Sequence, residues 1–595
     1  MSTESKTRFK GGSFLVETPD PDQVFTPEDF DQEALLLAQT TREFVANEIE
    51  PVVDQLEAKE EGLMVKLVKK AGEIGLLSTD VPETYGGLDV PKTSTMLLVE
   101  SLARGGSFNV THGAHTGIGT LPIVYFGTEE QKQEWLPKLA TGEKIGAYAL
   151  TEQSSGSDAL AAKATAKLDD GEWVLNGEKQ FITNAAFADL FIVFAKVDGE
   201  HFSCFLLPAD ILGVSTGAEE RKMGIRGSST RSLIMQDARI PEANLLGEVG
   251  KGHVIAFNVL NVGRFKLGVG AVGGAKVCVE DSIRYGRDRM QFGQPITDFP
   301  LIQGKIADMA ALTFAAESAA YRTAGLLDQA IAAIDPAAEN HDREVIKAID
   351  DHSIECAILK VLGSEVLDVC VDECVQVFGG YGYVEDYPAE RYFRDARINR
   401  LYEGTNEINR MVTVGMLLKR AMKGELPLMA AAKQVQDALL SVPDFSNGTE
   451  KGTFDDAMDQ VERAKKAILL VSGVAALKYG PSIQKEQEVL SWLADMVIDT
   501  FALESAVLRA RKIESAGEDA TLAKDMVDVL IQRTTHRVLD AGSQALAHTS
   551  EGDDLRVQLA GLKRFTKVSD PIDTASVRRR IAKQLVEQGT YAVKP

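Results

Sequence analysis

The feature that most constrains this chain is a change of period. From Gly146 to about Leu246 the apolar residues fall in β-type runs, while before and after that stretch they recur at helical spacing. LFIVFAKV and FSCFLLPA read as buried strands, and EWVLNGEKQFITNA reads as two runs around Asn176-Gly177, a hairpin signal. A chain that is helical, then β, then helical must set a sheet between helical units, which makes the expected class α+β and mainly α.

The boundaries follow from the same patterns. Residues 1–28 form a polar arm, 29–145 a helical unit, 146–250 a β unit and 251–424 a helical bundle. TPEDFDQEALLL opens the first helical unit with Thr, Pro and acids, and TEEQKQEWLPKLATGE closes it on a glycine stop. Residues 425–456, rich in Pro, Ser, Asn and Gly, read as an irregular linker, and 457–595 as a separate C-terminal helical unit.

Charge and cysteine usage exclude several functions. The 595 residues carry a formal net charge of −24, which repels phosphate backbones and argues against nucleic acid as a partner. The basic run SVRRRIAKQ near the end could meet anionic lipid, although a solvated helix face is the commoner explanation. Five scattered cysteines suit a reducing compartment, and neither Cys370 with Cys374 nor His112 with His115 completes a metal site. The opening segment lacks an apolar signal core, so the cytoplasm of a bacterium is the expected location.

Three motifs carry chemistry. A literal Gly268-x-Gly270-x-x-Gly273 lacks the strand and following acid of a dinucleotide fingerprint, so close helix packing explains it better. The turn Thr151 to Asp158 gathers hydroxyls and backbone N–H groups that could cap a turn or bind a flat cofactor and phosphates. In RLYEGTNEINR a lone carboxylate, Glu403, stands between Tyr402 and Gly404.

YALTEQSSGSD (148–158) and QVFGGYGYVEDYPAERYFRDARINRLYEGTNEINR (376–410) resemble the two signatures of the acyl-CoA dehydrogenase family, in the right order and within the right α, β, α pattern. The C-terminal extension makes the very-long-chain branch the nearest likeness. The resemblance implies an FAD-dependent enzyme that converts acyl-CoA to trans-2-enoyl-CoA, the first step of fatty acid β-oxidation, and passes electrons to an electron-transfer flavoprotein. It implies that Glu403 removes the α-proton while the β-hydrogen leaves as hydride to the flavin.

By the same resemblance, Tyr148, Leu150, Thr151, Gly156 and Ser157 lie along the flavin, and Phe181, Ile182 and Thr183 cover its other side, with Phe181 where relatives commonly carry tryptophan. Arg289, Phe292, Gln376 and Gly380 reach the cofactor's pyrophosphate and adenosine across a homodimer interface, and Thr405 and Glu407 face the cofactor. Ser157 and Gly404 adjoin the thioester, while Asn261 and Arg264 hold the pantetheine. An acid placed before Arg264 would be a rival base, but Gly263 stands there. Leu401 and Tyr402 should supply the apolar setting that raises the pKa of Glu403. Gly113, Gly117 and Gly119 leave room for a long tail, or serve helix packing. The rival readings are an acyl-CoA oxidase and a non-catalytic flavoprotein scaffold.

Overall fold

The computed structural model describes residues 9–338, 340–439, 452–568 and 571–591. Seven helices come first: α1 (Gln32–Phe44), α2 (Val53–Glu57), α3 (Leu63–Glu73), α4 (Lys92–Ser101), α5 (Ser107–Gly113), α6 (Leu121–Phe126) and α7 (Glu129–Ala140). Thr26 caps a short 3-10 turn rather than a helix; α1 begins later, where Asp31 accepts the backbone N–H of Ala34. Thr128 caps α7 by accepting from the N–H of Gln131.

The sheet contains β1 (Gly146–Ala149), β2 (Thr165–Asp169), β3 (Glu172–Thr183), β4 (Leu190–Val197), β5 (His201–Pro208), β6 (Val214–Thr216), β7 (Thr230–Pro241) and β8 (Leu245–Leu246). Its order is β6-β7-β3-β2-β4-β5-β8, with β1 parallel to β4 off that path. The hairpin expected at Asn176-Gly177 is not there, because β3 runs straight through it. The turn lies at Asp170-Gly171, both at positive φ (52° and 80°), and joins β2 to β3. Gly177 instead sits at an irregularity in the β3–β7 register, where a Cβ would stand 2.8 Å from Ala164 Cβ.

The bundle is built on α8 (Gly252–Asp288), α9 (Pro300–Ala332), α10 (His341–Asp351), α11 (Ser353–Phe378), α12 (Ala389–Ala396) and α13 (Asn406–Met422), with a short ribbon of β9 (Met290–Gln291) and β10 (Gln294–Pro295) after α8. Helices α8 and α11 touch backbone to backbone: a Cβ on Gly363 would lie 2.4 Å from Gly268 O. Gly273 meets α4 in the same way, 2.5 Å from Glu100 O. Helix packing therefore accounts for two glycines of the G-x-G-x-x-G string, while Gly270 lines a cavity described below.

The segment expected to be a linker is partly helical. Leu428–Leu439 forms α14, which packs on α15 (Asp455–Tyr479), because its Ala and Leu residues recur at helical spacing; residues 440–451 lie outside the described residues. Helices α16 (Gln487–Ser515), α17 (Thr521–Thr549), α18 (Gly552–Phe565) and α19 (Thr574–Gln588) follow. This extension is not set apart: α16 lies on α9 and α13, α19 lies on α9, and one apolar core runs through both units. The described part of the N-terminal arm is fixed to the same seam. Phe14 packs at a tilt on Phe501, ring centres 4.8 Å apart, and Glu28 accepts from Arg509.

Candidate functional site

Glu403 occupies a sharp turn before α13, at φ 56°, with Gly404 at φ 78°. A left-handed Glu is costly, so the surrounding structure must hold it. It does so through the backbone. Asn409 Nδ2 donates to Gly404 O at 2.9 Å, to Thr405 O at 3.1 Å and to Glu403 O at 3.4 Å. Arg264 Nε donates to Glu403 O at 3.4 Å and its Nη1 to Asn261 Oδ1 at 2.9 Å. Thr405 Oγ1 caps α13 by accepting the N–H of Ile408 at 3.3 Å.

The carboxylate itself points at α8. A Cβ on Gly263 would lie 2.7 Å from Glu403 Oε2, so the glycine at this position is what admits the acid. Oε2 is buried and has no hydrogen-bond partner among the described residues. Burial pushes the Glu403 pKa from 4.5 up to about 7, against the pull of Arg264 and Lys360. Lys360 is itself fully buried, donates to Asn406 Oδ1 at 2.7 Å, and is lowered by burial to about 8.

Glu403 stands at the head of a cavity of about 230 Å³. Gly263, Lys266, Leu267, Gly270, Ala271, Gly274, Val277 and Cys278 line one wall, a single face of α8. At 1.5 Å per residue that face extends roughly 22 Å from the carboxylate. Gly113 and Gly117 line the opposite side, where a Cβ would meet nothing within 4 Å or, at Gly117, only Lys266 Cδ at 3.8 Å. Gly119 does not join them: it packs against Gly146, whose carbonyl carbon would be 2.9 Å from its Cβ.

The other expected residues divide into three groups. Tyr148 lies in β1 near Glu403 with its hydroxyl buried and unpartnered, Leu150 and Thr151 are half-buried, and Gly156 and Ser157 are exposed on the following turn. That turn is tied to β3 by a buried ion pair, Lys179 Nζ to Glu152 Oε1 at 2.7 Å, while Glu152 also accepts the N–H groups of Lys163 and Ala164. Phe181, at φ 60°, exposes 57% of its surface and Thr183 lines the cavity. Ile182, between them, turns its side chain into the core of the sheet because alternate residues of a strand face opposite ways.

A second, open cleft of about 710 Å³ is lined by Arg289, Phe292, Gly380, Tyr381 and neighbours. Phe292 is 94% exposed at φ 51°, the Arg289 guanidinium lies 5.6 Å from the Tyr381 ring, and Gly380 has open space where a Cβ would be. Gln376 is exposed nearby on α11, and Glu407 is exposed on the first turn of α13.

One expectation is corrected. Leu401 is 47% exposed and does not desolvate Glu403; Tyr402 and the wall of α8 do. Asn261 and Arg264 are buried and bonded to each other, and Arg264 also donates to the Glu403 carbonyl, which braces the turn. Sequence reading missed Lys360, Asn409 and the opening role of Gly263. The one available signal was a lysine inside the apolar run ILKVLG. His112 and His115 are buried and bonded to the Leu76 and Leu139 carbonyls, and burial lowers them to about 3 and about 4. All five cysteines are buried and free, and no cluster of three or more metal-ligating side chains occurs among the described residues. Nor is any described helix long and apolar enough to cross a membrane.

A sheet set between helical units, a desolvated carboxylate lining a largely apolar cavity, and a cleft rimmed by exposed aromatic residues define the class as an α, β, α protein with a poised proton acceptor. Models of the acyl-CoA dehydrogenase N-terminal domain, middle domain and C-terminal domain match residues 31–143, 147–238 and 250–417, and a further C-terminal domain model of that family matches 463–564. The chain is 47% identical over 588 residues to a probable acyl-CoA dehydrogenase of Bacillus subtilis (strain 168), covering 98% of each. It is 50% identical, with a TM-score of 0.96, to an acyl-CoA dehydrogenase complexed with FAD from Bacillus anthracis, covering 98% of this chain and 100% of that one. The human mitochondrial short-chain specific acyl-CoA dehydrogenase is 39% identical over 389 residues, 64% of this chain and 90% of its own. The chain belongs to the acyl-CoA dehydrogenase family.

Proposed function

We propose that this protein is an FAD-dependent dehydrogenase of long-chain acyl-CoA, forming the trans-2-enoyl-CoA as the first step of β-oxidation. The observation that carries the reading is Glu403: its Oε2 is buried with no hydrogen-bond partner among the described residues, its carboxyl is raised to about 7, and it lines a largely apolar cavity. A carboxylate in that state can accept the weakly acidic α-proton of a thioester near neutral pH. The backbone N–H of Glu403 would hydrogen-bond the thioester oxygen as charge develops there.

The residues present fit the cofactor. Tyr148, Leu150, Thr151, Gly156, Ser157, Phe181, Thr183 and the backbone of Ile182 would hold the ring, with Thr405 and Glu407 close by. Arg289, Phe292, Gln376 and Gly380 would hold the phosphate and adenosine end belonging to a second copy. An Arg over a glycine-lined cleft suits a pyrophosphate, and Phe292, Tyr383 at 85% exposure and Leu301 at 84% are apolar surface that a second copy would cover. The bound flavin supplies a two-electron acceptor for the β-hydrogen. The chain's own residues orient the tail along α8, exclude water from Glu403 and take up the α-proton at its carboxylate.

The roughly 22 Å apolar face supports a long tail as substrate. The extension lies on α9 and α13, where it would cap the bundle of a homodimer. Electron-transfer flavoprotein as acceptor and a cytoplasmic location complete the proposal. Visible spectra of the purified protein under nitrogen, titrated with acyl-CoAs of increasing length, test it. Bleaching that is strongest with long chains and persists on brief exposure to air is expected. Fast reoxidation by oxygen would make the protein an oxidase, and no bleaching at any length would make it a scaffold.

A further inference from the structure

The segment 589–591 that follows α19 docks against α8 and α9, beside the cavity. Gly589 caps α19 at φ 76°, and the chain then turns inward so that Tyr591 is 8% exposed. The Tyr591 hydroxyl donates to Glu317 Oε2 at 3.0 Å, and its ring lies 5.6 Å from Lys276 Nζ. Beside it, Thr590 Oγ1 donates to Glu280 Oε1 at 3.1 Å.

Glu280 is one contact away from the cavity wall. Its other oxygen, Oε2, accepts from Arg104 Nη2 at 3.2 Å. Arg104 also donates to Asp281 at 2.8 and 3.2 Å, and Tyr392 donates to Asp281 Oδ2 at 3.0 Å. Arg104, Tyr392 and Cys278 all line the cavity, Cys278 at the end of the α8 face furthest along the helix from Gly263. A cation at the end of an apolar channel must be held aside if a long tail is to enter. Asp281 accepts from both terminal nitrogens of Arg104, and Glu280, itself held by Thr590, accepts a second bond from Nη2.

We infer that Thr590 and Tyr591 are positioning residues for acyl-chain length: the docked C-terminal end retains Glu280, Glu280 retains Arg104, and the far end of the channel stays open to long tails. The reach of the substrate site is then set partly by the last helix of the extension. This inference rests on the acyl-CoA reading above and adds to it a role for the extension inside the site.

The test uses the full-length, FAD-loaded protein carrying Thr590→Val, Thr590→Ser or Tyr591→Ala. For each, KM and kcat are measured across short to long acyl-CoAs, and Kd for the matching enoyl-CoAs is measured by calorimetry. Thr590→Val should weaken binding and raise KM for the longest chains by roughly three- to tenfold, within the net worth of one ordinary hydrogen bond, with kcat and short-chain binding unchanged. Thr590→Ser, which keeps the hydroxyl, should restore the profile, and Tyr591→Ala, which undocks the same segment while Glu317 keeps Lys276 and Arg509, should repeat the shift. Equal profiles for the wild type, Thr590→Val and Tyr591→Ala would overturn the inference, as would a loss uniform over all lengths. If the wild type bound no acyl-CoA of any length, the functional reading would fail first and separately.

Discussion

Two glutamates in this molecule carry desolvated carboxylates and behave in opposite ways. Glu403 has a partnerless oxygen against Gly263, and burial raises its pKa to about 7. Glu317 lies in the seam between the bundle and the extension, where burial would also raise it. Arg509, at 2.6 Å, and Lys276 outweigh that effect and hold it well below the ordinary carboxylate range. A buried carboxylate that is paired is fixed in one charge state and stabilises contacts among helices. One left unpaired is poised between states, which is what a proton acceptor requires.

The largest expected effect separates the two by chemistry. Glu403→Gln should keep flavin and acyl-CoA binding while lowering the rate of flavin reduction in stopped flow by about 10²- to 10⁴-fold. A rate above roughly a tenth of wild type, a barrier change under about 1.4 kcal/mol, would place the proton acceptor elsewhere. The seam should respond in stability instead. Arg509→Met leaves Glu317 and Glu28 short of their shared partner and should cost about 3–5 kcal/mol in urea unfolding, with the reduction rate of the folded fraction unchanged.

The pH dependence of stability sharpens the contrast. Because the folded-state pKa of Glu403 lies above its ordinary 4.5, its favourable share of stability is complete below that value and is lost as pH rises through about 7. Glu403→Gln has no such loss. In flavin-free protein the variant should therefore gain on the order of 3 kcal/mol over wild type at pH 8 and almost nothing at pH 4.5. For Glu317 the sign is reversed, since its stabilisation is present above the ordinary carboxylate range and disappears only in strong acid. Parallel stability curves for wild type and Glu403→Gln would mean that the Glu403 carboxylate is not desolvated in solution.

The smallest effect concerns the turn that aims the acid. Gly404→Ala places a side chain at φ 78° and 3.1 Å from Asn409 Nδ2, which should cost about 1–2 kcal/mol in thermal or urea unfolding. An unchanged midpoint would show that this turn relaxes freely and is not held by Asn409.

The order of helical and β segments was legible in the sequence because period is a local property: i, i+3, i+4 recurrence and alternation can be read without knowing the partner element. Turns were less legible. Asn176-Gly177 and Asp170-Gly171 offered the same chemistry six residues apart in one β-rich stretch, and only the approach of Ala164 and the register with β7 decided which became the hairpin. Glu403 could be singled out from RLYEGTNEINR and a family likeness, but its burial could not, since Leu401 beside it is exposed and the desolvating surface comes from α8, some 140 positions earlier.

By itself, the sequence determined which segments are helices and strands, that the chain is strongly acidic, and which carboxylate stands in the signature. The tertiary structure alone decided that Glu403 Oε2 has no hydrogen-bond partner among the described residues while Glu317 has three, that Arg264 braces the turn, and that Thr590 reaches Glu280, one contact from the wall of the cavity. The physical reason is that charge state and pKa depend on what other parts of the chain bring within a few ångströms, and a one-dimensional pattern carries no record of those distances.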